Sequence, residues 1–213
     1  LADAFAWYEK LPLAGYKVLL TRPKNLISRT AALLREKGAE VLELPAIRTV
    51  PLEDQSRLYQ ALEQIDTYGW LVFTSPTGVE IFFQEMKKKE KDIRSLGRIK
   101  VAAIGEGTRK KLKEHGIYAD LMPEVYDGDS LGEALAKKVK PEEKVLLPRA
   151  EKGNQNLVSL LLNAGAKVED IPTYQTVYEQ SSLIDEKQEF ETGSIGCAVF
   201  TSASTVKGFV EGT

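Results

Sequence analysis

Two clusters of hydroxyl side chains stand directly after apolar runs in this sequence. One contains Thr74, Ser75 and Thr77 and follows "WLVF"; the other contains Ser202 and Ser204 and follows "AVF". Neither cluster includes an acid, a base or a thiol, so the chemistry on offer is hydrogen bonding to a polar or anionic ligand. Either serine could instead simply cap a helix, and for each serine taken alone capping is the simpler interpretation.

Three further residues stand just beyond apolar runs. Gly105 and Thr108 belong to "GEGT" after "VAAI", and Arg149 belongs to "PRA" after "KVLL". In parallel α/β sheets, ligands bind beyond the carboxyl ends of the strands, where helix starts present free N–H groups. We therefore expect these residues to contact a ligand. The "GEGT" motif lacks the third glycine and the ribose-binding acid of a dinucleotide site.

Tyr174 is a candidate for proton donation. It stands in "IPTYQTV", at the position that Ile47 occupies in the similar segment "LPAIRTV". A phenol with an ordinary pKa of about 10 is protonated at neutral pH and can donate. A half-buried tyrosine that packs between strands is the alternative, and the sequence alone slightly favours it.

Composition argues against several other kinds of site. The chain has one histidine, His115, and one cysteine, Cys197, so neither a zinc site nor a Ser-His-Asp triad is expected. We expect His115 to end a helix and Cys197 to be buried. Lys and Arg number 29 against 31 Asp and Glu, a net charge of -2. We expect no metal, and neither nucleic acid nor a membrane as partner.

An internal repeat relates the two hydroxyl clusters. Residues 17–50 align without a gap with 144–177, an offset of 144 minus 17, or 127 residues. The phrase "VFTS" recurs at 72–75 and 199–202 with the same offset. A single register therefore relates both halves of the chain, which indicates a duplication.

The repeat predicts the elements that position these residues. Each copy reads as a strand, a helix ended by Gly38 or Gly165, and a second strand, which is the unit of a parallel α/β sheet. Between the copies we predict strands at "GWLVFTS", "KVAAIG" and "YADLMP", and helices at "TGVEIFFQEMKKKEKD", "TRKKLKEHG" and "SLGEALAKKV".

Two proline-containing segments bracket a complete α/β block and are predicted to form a two-stranded hinge. The first domain would then be discontinuous. It would also be truncated at its C-terminus, because the second copy ends at Thr213 before its expected last strand and helix. The predicted boundaries are 1–16 for an N-terminal extension or fusion linker, 17–46 and 178–213 for domain 1, 47–51 and 172–177 for the hinge, and 52–171 for domain 2.

Six segments, in their order and spacing, resemble the uroporphyrinogen-III synthase family. They are "VLLTRP", "VFTSPTGVEIFF", "VAAIGEGT", "PRAEKGNQNL", "VEDIPTYQTV" and "VFTSASTVKGF", and the resemblance covers the chain from residue 17 onward. It implies two flavodoxin-like parallel-sheet domains joined by a two-stranded hinge. It also implies a cytoplasmic, cofactor-free lyase of tetrapyrrole biosynthesis, on the route to haem, sirohaem and cobalamin.

The reaction implied by the resemblance is the cyclisation of hydroxymethylbilane to uroporphyrinogen III, with loss of water and inversion of ring D. Tyr174 matches the tyrosine proposed in the family to assist departure of the hydroxyl. Ser75, Thr108 and Ser202 match positions implicated in substrate contact, whereas Arg149 is a candidate only through its place after a strand.

The N-terminal segment "FAWYEKLPLAGYKVLLTR" is similar to the junction of fused proteins in which a uroporphyrinogen-III C-methyltransferase precedes the synthase. The resemblance therefore implies a fused methyltransferase domain as a partner, and we expect the isolated synthase domain to be a monomer.

Two alternative functions from other classes stay open. One is a hinged two-domain module that binds a polyanionic small molecule without catalysis, and the other is a regulatory or structural domain fused to an enzyme.

Overall fold

The computed structural model of the chain describes residues 9–21, 24–44, 47–178, 186–200 and 203–212. These residues fall into two compact units. Unit 1 comprises Leu1–Thr49 and Thr176–Thr213, and unit 2 comprises Val50–Gln175. The chain therefore passes between the units in two places.

The described residues form helices interspersed with mainly parallel strands, which confirms the α/β class. Short 3₁₀ turns lie at Ile65–Thr67 and Ile93–Leu96. No helix in the described part of the chain is both long enough and apolar enough to span a membrane. The elements are β1 (Lys17–Leu20), α1 (Lys24–Glu36), β2 (Glu40–Glu43), β3 (Ile47–Pro51), α2 (Ser56–Glu63), β4 (Trp70–Phe73), α3 (Pro76–Lys88), β5 (Lys100–Ala103), α4 (Glu106–Glu114), α5 (Gly128–Ala136), β6 (Lys144–Ala150), α6 (Gln155–Asn163), β7 (Lys167–Tyr178), α7 (Glu186–Glu191), β8 (Cys197–Val199) and α8 (Ala203–Gly212).

Unit 1 contains the sheet β2-β1-β8, in which β1 pairs in parallel with both neighbours. Val18 and Leu20 of β1 are buried against Ala31 of α1. Cys197 is exposed, so the prediction that it is buried is wrong. It begins β8, which in the described part of the chain pairs with β1 alone and lies at the edge of this sheet.

Unit 2 is built on a sheet of order β3-β7-β6-β4-β5. Successive residues of β4 point to opposite faces, so Leu71 and Phe73 join one hydrophobic core while Trp70 and Val72 join the other. Residues of α2, α3 and α4 fill the first core and residues of α5 and α6 the second. A parallel sheet covered on both faces explains why "WLVF" is apolar throughout.

The duplication read from the sequence is present in the structure. Adding the offset of 127 carries the first residues of β1, β2 and α3 onto those of β6, β7 and α8. The pairing of Lys17 with Glu40 likewise becomes that of Lys144 with Lys167. Strand register, and not only the order of elements, is therefore shared between the two copies.

Several predicted elements differ in extent from those observed. The predicted strand "YADLMP" is reduced to an isolated bridge between Leu121 and Ala102. Helix α2 was not predicted, although the spacing of its buried Leu58, Ala61 and Leu62 is a helical signal. The predicted strand "AKVEDIP" and the segment that follows it form one continuous strand, β7.

Strand β7 continues through Pro172 because the ladder is irregular there. Arg149 of β6 pairs with Pro172, but the next residue, Ala150, pairs with Tyr174, so Thr173 is an extra residue on β7. A bulge of this kind tolerates a proline, which has no N–H to donate to the ladder. It also sets the direction in which the Tyr174 side chain leaves the strand.

Candidate functional site

The carboxyl ends of the parallel strands β4, β5, β6 and β7 lie at one edge of the sheet of unit 2. Helices α3, α4 and α6 begin at this edge, a few residues after a strand end. Their first N–H groups have no partner within the helix and carry partial positive charge. We call this region, formed by residues 74–78, 104–108, 150–155 and Tyr174, the carboxyl edge.

Ser75 is the N-cap of α3. Its backbone is extended, and its Oγ accepts a hydrogen bond from the N–H of Gly78 at 2.9 Å. Pro76 follows as the first helical residue, where its lack of an N–H costs nothing. The capping role anticipated for Ser75 is therefore confirmed, and it fixes the position of the hydroxyl at the helix start.

The structure brings Ser75 into contact with Tyr174, which lies 99 residues later in the chain. The distance between Ser75 Oγ and Tyr174 Oη is 2.6 Å, and either oxygen can be the donor. We call these two residues the hydroxyl pair. Two residues singled out separately in the sequence thus form a single hydrogen-bonded group at the carboxyl edge.

Tyr174 is 5% exposed, and this burial raises the pKa of its hydroxyl. The hydrogen bond with Ser75 lowers the pKa to a smaller extent. The phenol is therefore protonated at neutral pH. Gly78 packs beside this pair: a Cβ at that position would lie 3.3 Å from both the Pro148 carbonyl oxygen and Ser75 Oγ, and 3.7 Å, an ordinary contact, from Tyr174 Cε1.

Thr74 and Thr77 lie at the same helix start, and both are partly buried. The start of α4 is immediately adjacent. A Cβ on Gly107 would be 3.6 Å from Pro76 Cγ, so the first turns of the two helices are in close proximity. The predicted ligand-contacting segments that follow β4 and β5 therefore form one continuous surface.

Gly105 is the N-cap of α4, with extended backbone, and Thr108 in the first turn is buried. The ring of Tyr126 packs onto Gly105 so closely that a Cβ there would be 2.9 Å from Tyr126 Cγ. Tyr126 remains 58% exposed. Sequence reasoning missed this aromatic side chain, because it lies in an irregular loop where no periodic pattern marks it.

Arg149 is enclosed by its neighbours. It is 2% exposed, its Nε and Nη2 each donate to Asp170 at 2.7 Å, and its Nη1 donates to the Asn154 carbonyl at 2.6 Å. A Cβ on Gly153 would be 2.5 Å from Nη1. This geometry favours a role in joining β6, β7 and the start of α6. Substrate contact by Arg149 stays a prediction that the geometry does not support.

Ser202 lies outside the described residues. Ser204 lies within α8, but its side chain is also outside the described part of the structure. Their roles in substrate contact stay predictions. Among the described residues, no group of three or more His, Cys, Asp or Glu side chains is placed to hold a metal ion.

The family model described as "Uroporphyrinogen-III synthase HemD" matches residues 28–213. The chain belongs to the uroporphyrinogen-III synthase family. The match spans the carboxyl edge and the hydroxyl pair, and it confirms the family that the sequence motifs indicated. Uroporphyrinogen-III synthases are lyases of tetrapyrrole biosynthesis, so family membership supports the synthase function over the two alternative classes.

Two relatives agree with this assignment. The porphyrin biosynthesis protein HemD of Ruminiclostridium josui is 38% identical over 210 residues, which are 99% of this chain and 42% of that protein. The uroporphyrinogen-III synthase of Synechococcus elongatus is 28% identical, over 94% of this chain and 75% of its own length. The chain thus spans less than half of the first relative and three quarters of the second.

The fold is similar to that of solved uroporphyrinogen-III synthases. A crystal structure of a mutant synthase from the extremely thermophilic bacterium Thermus thermophilus superimposes with a TM-score of 0.66. The match covers 92% of this chain and 77% of that chain, at 19% sequence identity. At that identity the likeness concerns the fold, and it confirms the α/β architecture of the family.

Proposed function

We propose that this chain catalyses the cyclisation of hydroxymethylbilane to uroporphyrinogen III. Family membership gives the reaction. The observation that carries the proposal at the site is the hydroxyl pair, in which the Tyr174 hydroxyl lies 2.6 Å from Ser75 Oγ at the start of α3. A protonated phenol at a helix start is suited to assist the departure of a hydroxyl group from an anionic substrate.

The main task of such an enzyme is orientation. Hydroxymethylbilane closes unaided to an isomer in which ring D is not inverted, so the enzyme must hold the chain for attack at the substituted carbon. Holding reacting groups in place can supply several kcal/mol of the barrier reduction, on the order of 7 kcal/mol in favourable cases. A set of fixed hydrogen-bond donors with few strong acids and bases fits this task.

The starts of α3 and α4 provide such donors. Each helix start contributes roughly 0.3 to 1 kcal/mol towards binding of a negative charge, and more where it is partly buried. Because these two starts are in contact through Gly107 and Pro76, they present their N–H groups over one surface. We propose that this surface binds carboxylates of the substrate, with Thr74 and Thr77 as further hydroxyl donors. Thr108 is buried, so its contact with substrate stays a prediction.

Tyr174 supplies the proton in this proposal. Its hydroxyl proton passes to the departing hydroxyl oxygen of the substrate, the C–O bond breaks with its electron pair on oxygen, and water leaves. The substituted α-carbon of ring D then forms a C–C bond to the carbon that lost the hydroxyl, and the bond from ring D to its original bridging carbon breaks. That bridging carbon rejoins ring D at the unsubstituted α-carbon, and the proton that this α-carbon loses returns to the tyrosine oxygen. The overall change is loss of one water, and no cofactor takes part.

The wider organisation is also a proposal. We propose two flavodoxin-like domains joined by a two-stranded hinge at 47–51 and 172–177, and a monomeric, cytoplasmic synthase domain. We propose further that the complete protein carries a methyltransferase fused before the synthase. The N-terminal resemblance supports this fusion.

Isomer analysis tests the proposed function. Hydroxymethylbilane is supplied to the chain, and in parallel to the full-length protein; the products are oxidised and the isomers separated by chromatography. We expect isomer III as the main product, against isomer I in the enzyme-free control. Isomer I alone from both proteins would exclude the synthase function.

A further inference from the structure

The hydrogen bonds of Ser75 do not fix whether its hydroxyl proton or its second lone pair faces Tyr174. A serine hydroxyl has one proton to donate and two lone pairs that accept. One lone pair accepts the Gly78 N–H at 2.9 Å. The contact with Tyr174 Oη at 2.6 Å can then use either the second lone pair or the proton of Ser75. Ser75 can therefore reverse its role towards Tyr174 without moving.

We propose that Ser75 is a positioning residue that acts through Tyr174, donating its hydroxyl proton in a hydrogen bond to the tyrosine oxygen as Tyr174 gives up its own proton. This inference rests on the proposed function and assigns Ser75 a role different from direct substrate contact. The Gly78 N–H, held at the start of α3, polarises the Ser75 hydroxyl and so strengthens it as a donor.

The protons balance within this scheme. The proton of Tyr174 goes to the departing hydroxyl, which leaves as water with the electron pair of the C–O bond. Ser75 retains its own proton throughout and only donates a hydrogen bond to the phenolate. The proton released on ring closure restores Tyr174, and the hydroxyl pair returns to its starting state.

The surroundings of Tyr174 show why such a donor is needed. Burial disfavours the phenolate, which makes Tyr174 a weaker acid unless the anion is stabilised. Arg149, on the neighbouring strand, is paired with Asp170 at 2.7 Å. Among the described residues, the influences on the pKa of Tyr174 are burial and the hydrogen bond with Ser75.

Gly78 holds the two hydroxyls at the required separation. It supplies the N–H that binds Ser75, and its missing side chain avoids a close contact with the Ser75 hydroxyl. A Cβ there would lie 3.3 Å from Ser75 Oγ and 3.7 Å from Tyr174 Cε1. A side chain at this position would therefore crowd the Ser75 hydroxyl, so glycine fits a site that is built around the hydroxyl pair.

The test separates the donor role from the capping role by four substitutions at one position. Ser75→Ala removes both roles, and Ser75→Gly removes the hydroxyl while glycine remains acceptable as an N-cap. Ser75→Thr retains both roles. Ser75→Asp retains an acceptor for the Gly78 N–H but has no proton to donate at neutral pH.

A matched control for the capping effect is available in the same unit. Asp127 caps α5 by accepting the N–H of Ser130 at 2.7 Å, and it does not contact the hydroxyl pair. Asp127→Ala therefore removes a comparable helix cap and should lower stability by about 1 kcal/mol, within the ordinary range for such caps. It should leave the chemistry of Tyr174 unchanged.

Each variant is measured in two ways. Carbon-13 labelling of tyrosine Cζ, with the Tyr174 signal assigned by its loss in Tyr174→Phe, gives the titration of Tyr174 without substrate. Steady-state kinetics with hydroxymethylbilane give kcat and KM for isomer III. In Ser75→Gly and Ser75→Ala we expect the pKa of Tyr174 to rise and kcat to fall about 100-fold, with KM little changed.

Threonine at position 75 should preserve the activity, whereas aspartate should not. Ser75→Thr should lie within a few-fold of the unaltered protein, and Ser75→Asp should remain slow although its helix is capped. An unchanged Tyr174 titration in Ser75→Gly would overturn the inference, as would a loss that appears in KM alone. If the titration shifts as expected while no protein forms isomer III, the link between the two hydroxyls stands and the proposed function fails.

Discussion

At the scale of single residues, the site depends on two weak acids whose environments differ. Ser75 is fixed at a helix start by the Gly78 N–H, and Tyr174 is buried on a neighbouring strand. Neither hydroxyl is a strong acid in water. Placed 2.6 Å apart, they form a group that can release one proton and stabilise the charge left behind. A site without His or Cys at its centre is thereby capable of acid catalysis.

Tyr174→Phe should slow isomer III formation by at least about 100-fold, because the variant lacks the proton that assists loss of the hydroxyl. The ring still fills its buried position, so folding should be retained. Initial rates of isomer III formation and the circular dichroism melting curve measure the two effects. Turnover close to that of the unaltered protein would reduce Tyr174 to a packing residue.

At the scale of elements, the Tyr174 side chain is aimed by the bulge in β7 and by the ion pair that holds the adjacent strands together. Arg149 on β6 and Asp170 on β7 form a two-bond pair, and Thr173 Oγ1 donates to the Arg149 carbonyl at 3.3 Å. One contact precedes the extra residue of the ladder, Thr173, and the other is made by Thr173 itself. The pair thus fixes the part of β7 from which Tyr174 projects.

Asp170→Asn should reduce the free energy of unfolding of unit 2 by about 3 kcal/mol, because it leaves a buried guanidinium without its counter-charge. Asp92→Asn is the matched control, since Asp92 forms a comparable pair with Arg94 on the surface, where solvent screens the attraction and its loss should cost much less. Urea unfolding followed by Trp70 fluorescence, in a Trp7→Phe background, gives both values. Equal small losses would show that the buried pair contributes no more than the exposed one.

The two copies of the repeat end their first helix in the same way but in different surroundings. Gly38 and Gly165 have φ of 93° and 85°, a conformation that favours glycine. A Cβ on Gly165 meets Pro141 at 3.5 Å, an ordinary contact, whereas one on Gly38 would be 2.8 Å from Leu11 Cβ.

Gly165→Ala should therefore destabilise the end of α6 by about 1 kcal/mol from backbone strain alone. Gly38→Ala should cost more at the end of α1, because it adds a steric overlap to the same strain. Hydrogen exchange of the amides of α1 and α6 reports each local effect. Equal losses in the two copies would mean that Leu11 moves aside without cost.

At the scale of the whole molecule, duplication explains what the sequence could predict and where prediction ended. Apolar runs such as "WLVF", and the recurrence of "VFTS" 127 residues later, predicted the parallel sheets and placed Ser75 at a strand end. The contact of Ser75 with Tyr174 could not be predicted, because it depends on the bulge at Thr173. Burial of Arg149 likewise depends on Asp170 across the strand pair, which the strand-end position did not reveal.

Buried tyrosines also determine how the molecule responds to alkali. Burial raises the pKa of Tyr174, and burial together with the neighbouring Glu169 raises that of Tyr68. In the unfolded chain both phenols ionise near pH 10, whereas in the folded protein they stay protonated to higher pH. Their contribution to stability is complete below about pH 10, and it is lost as the pH rises towards the folded-state values.

The free energy of unfolding should therefore fall as the pH rises above about 10, since the unfolded state then releases protons that the folded state retains. Tyr68→Phe should flatten this fall, although it lowers stability at neutral pH by removing the hydrogen bond to Glu169. Tyr118→Phe is the control, because Tyr118 is 74% exposed. Urea unfolding between about pH 8 and 11 measures the slope for each protein, and an equal slope in Tyr68→Phe and Tyr118→Phe would show that the buried phenol does not govern the alkaline loss.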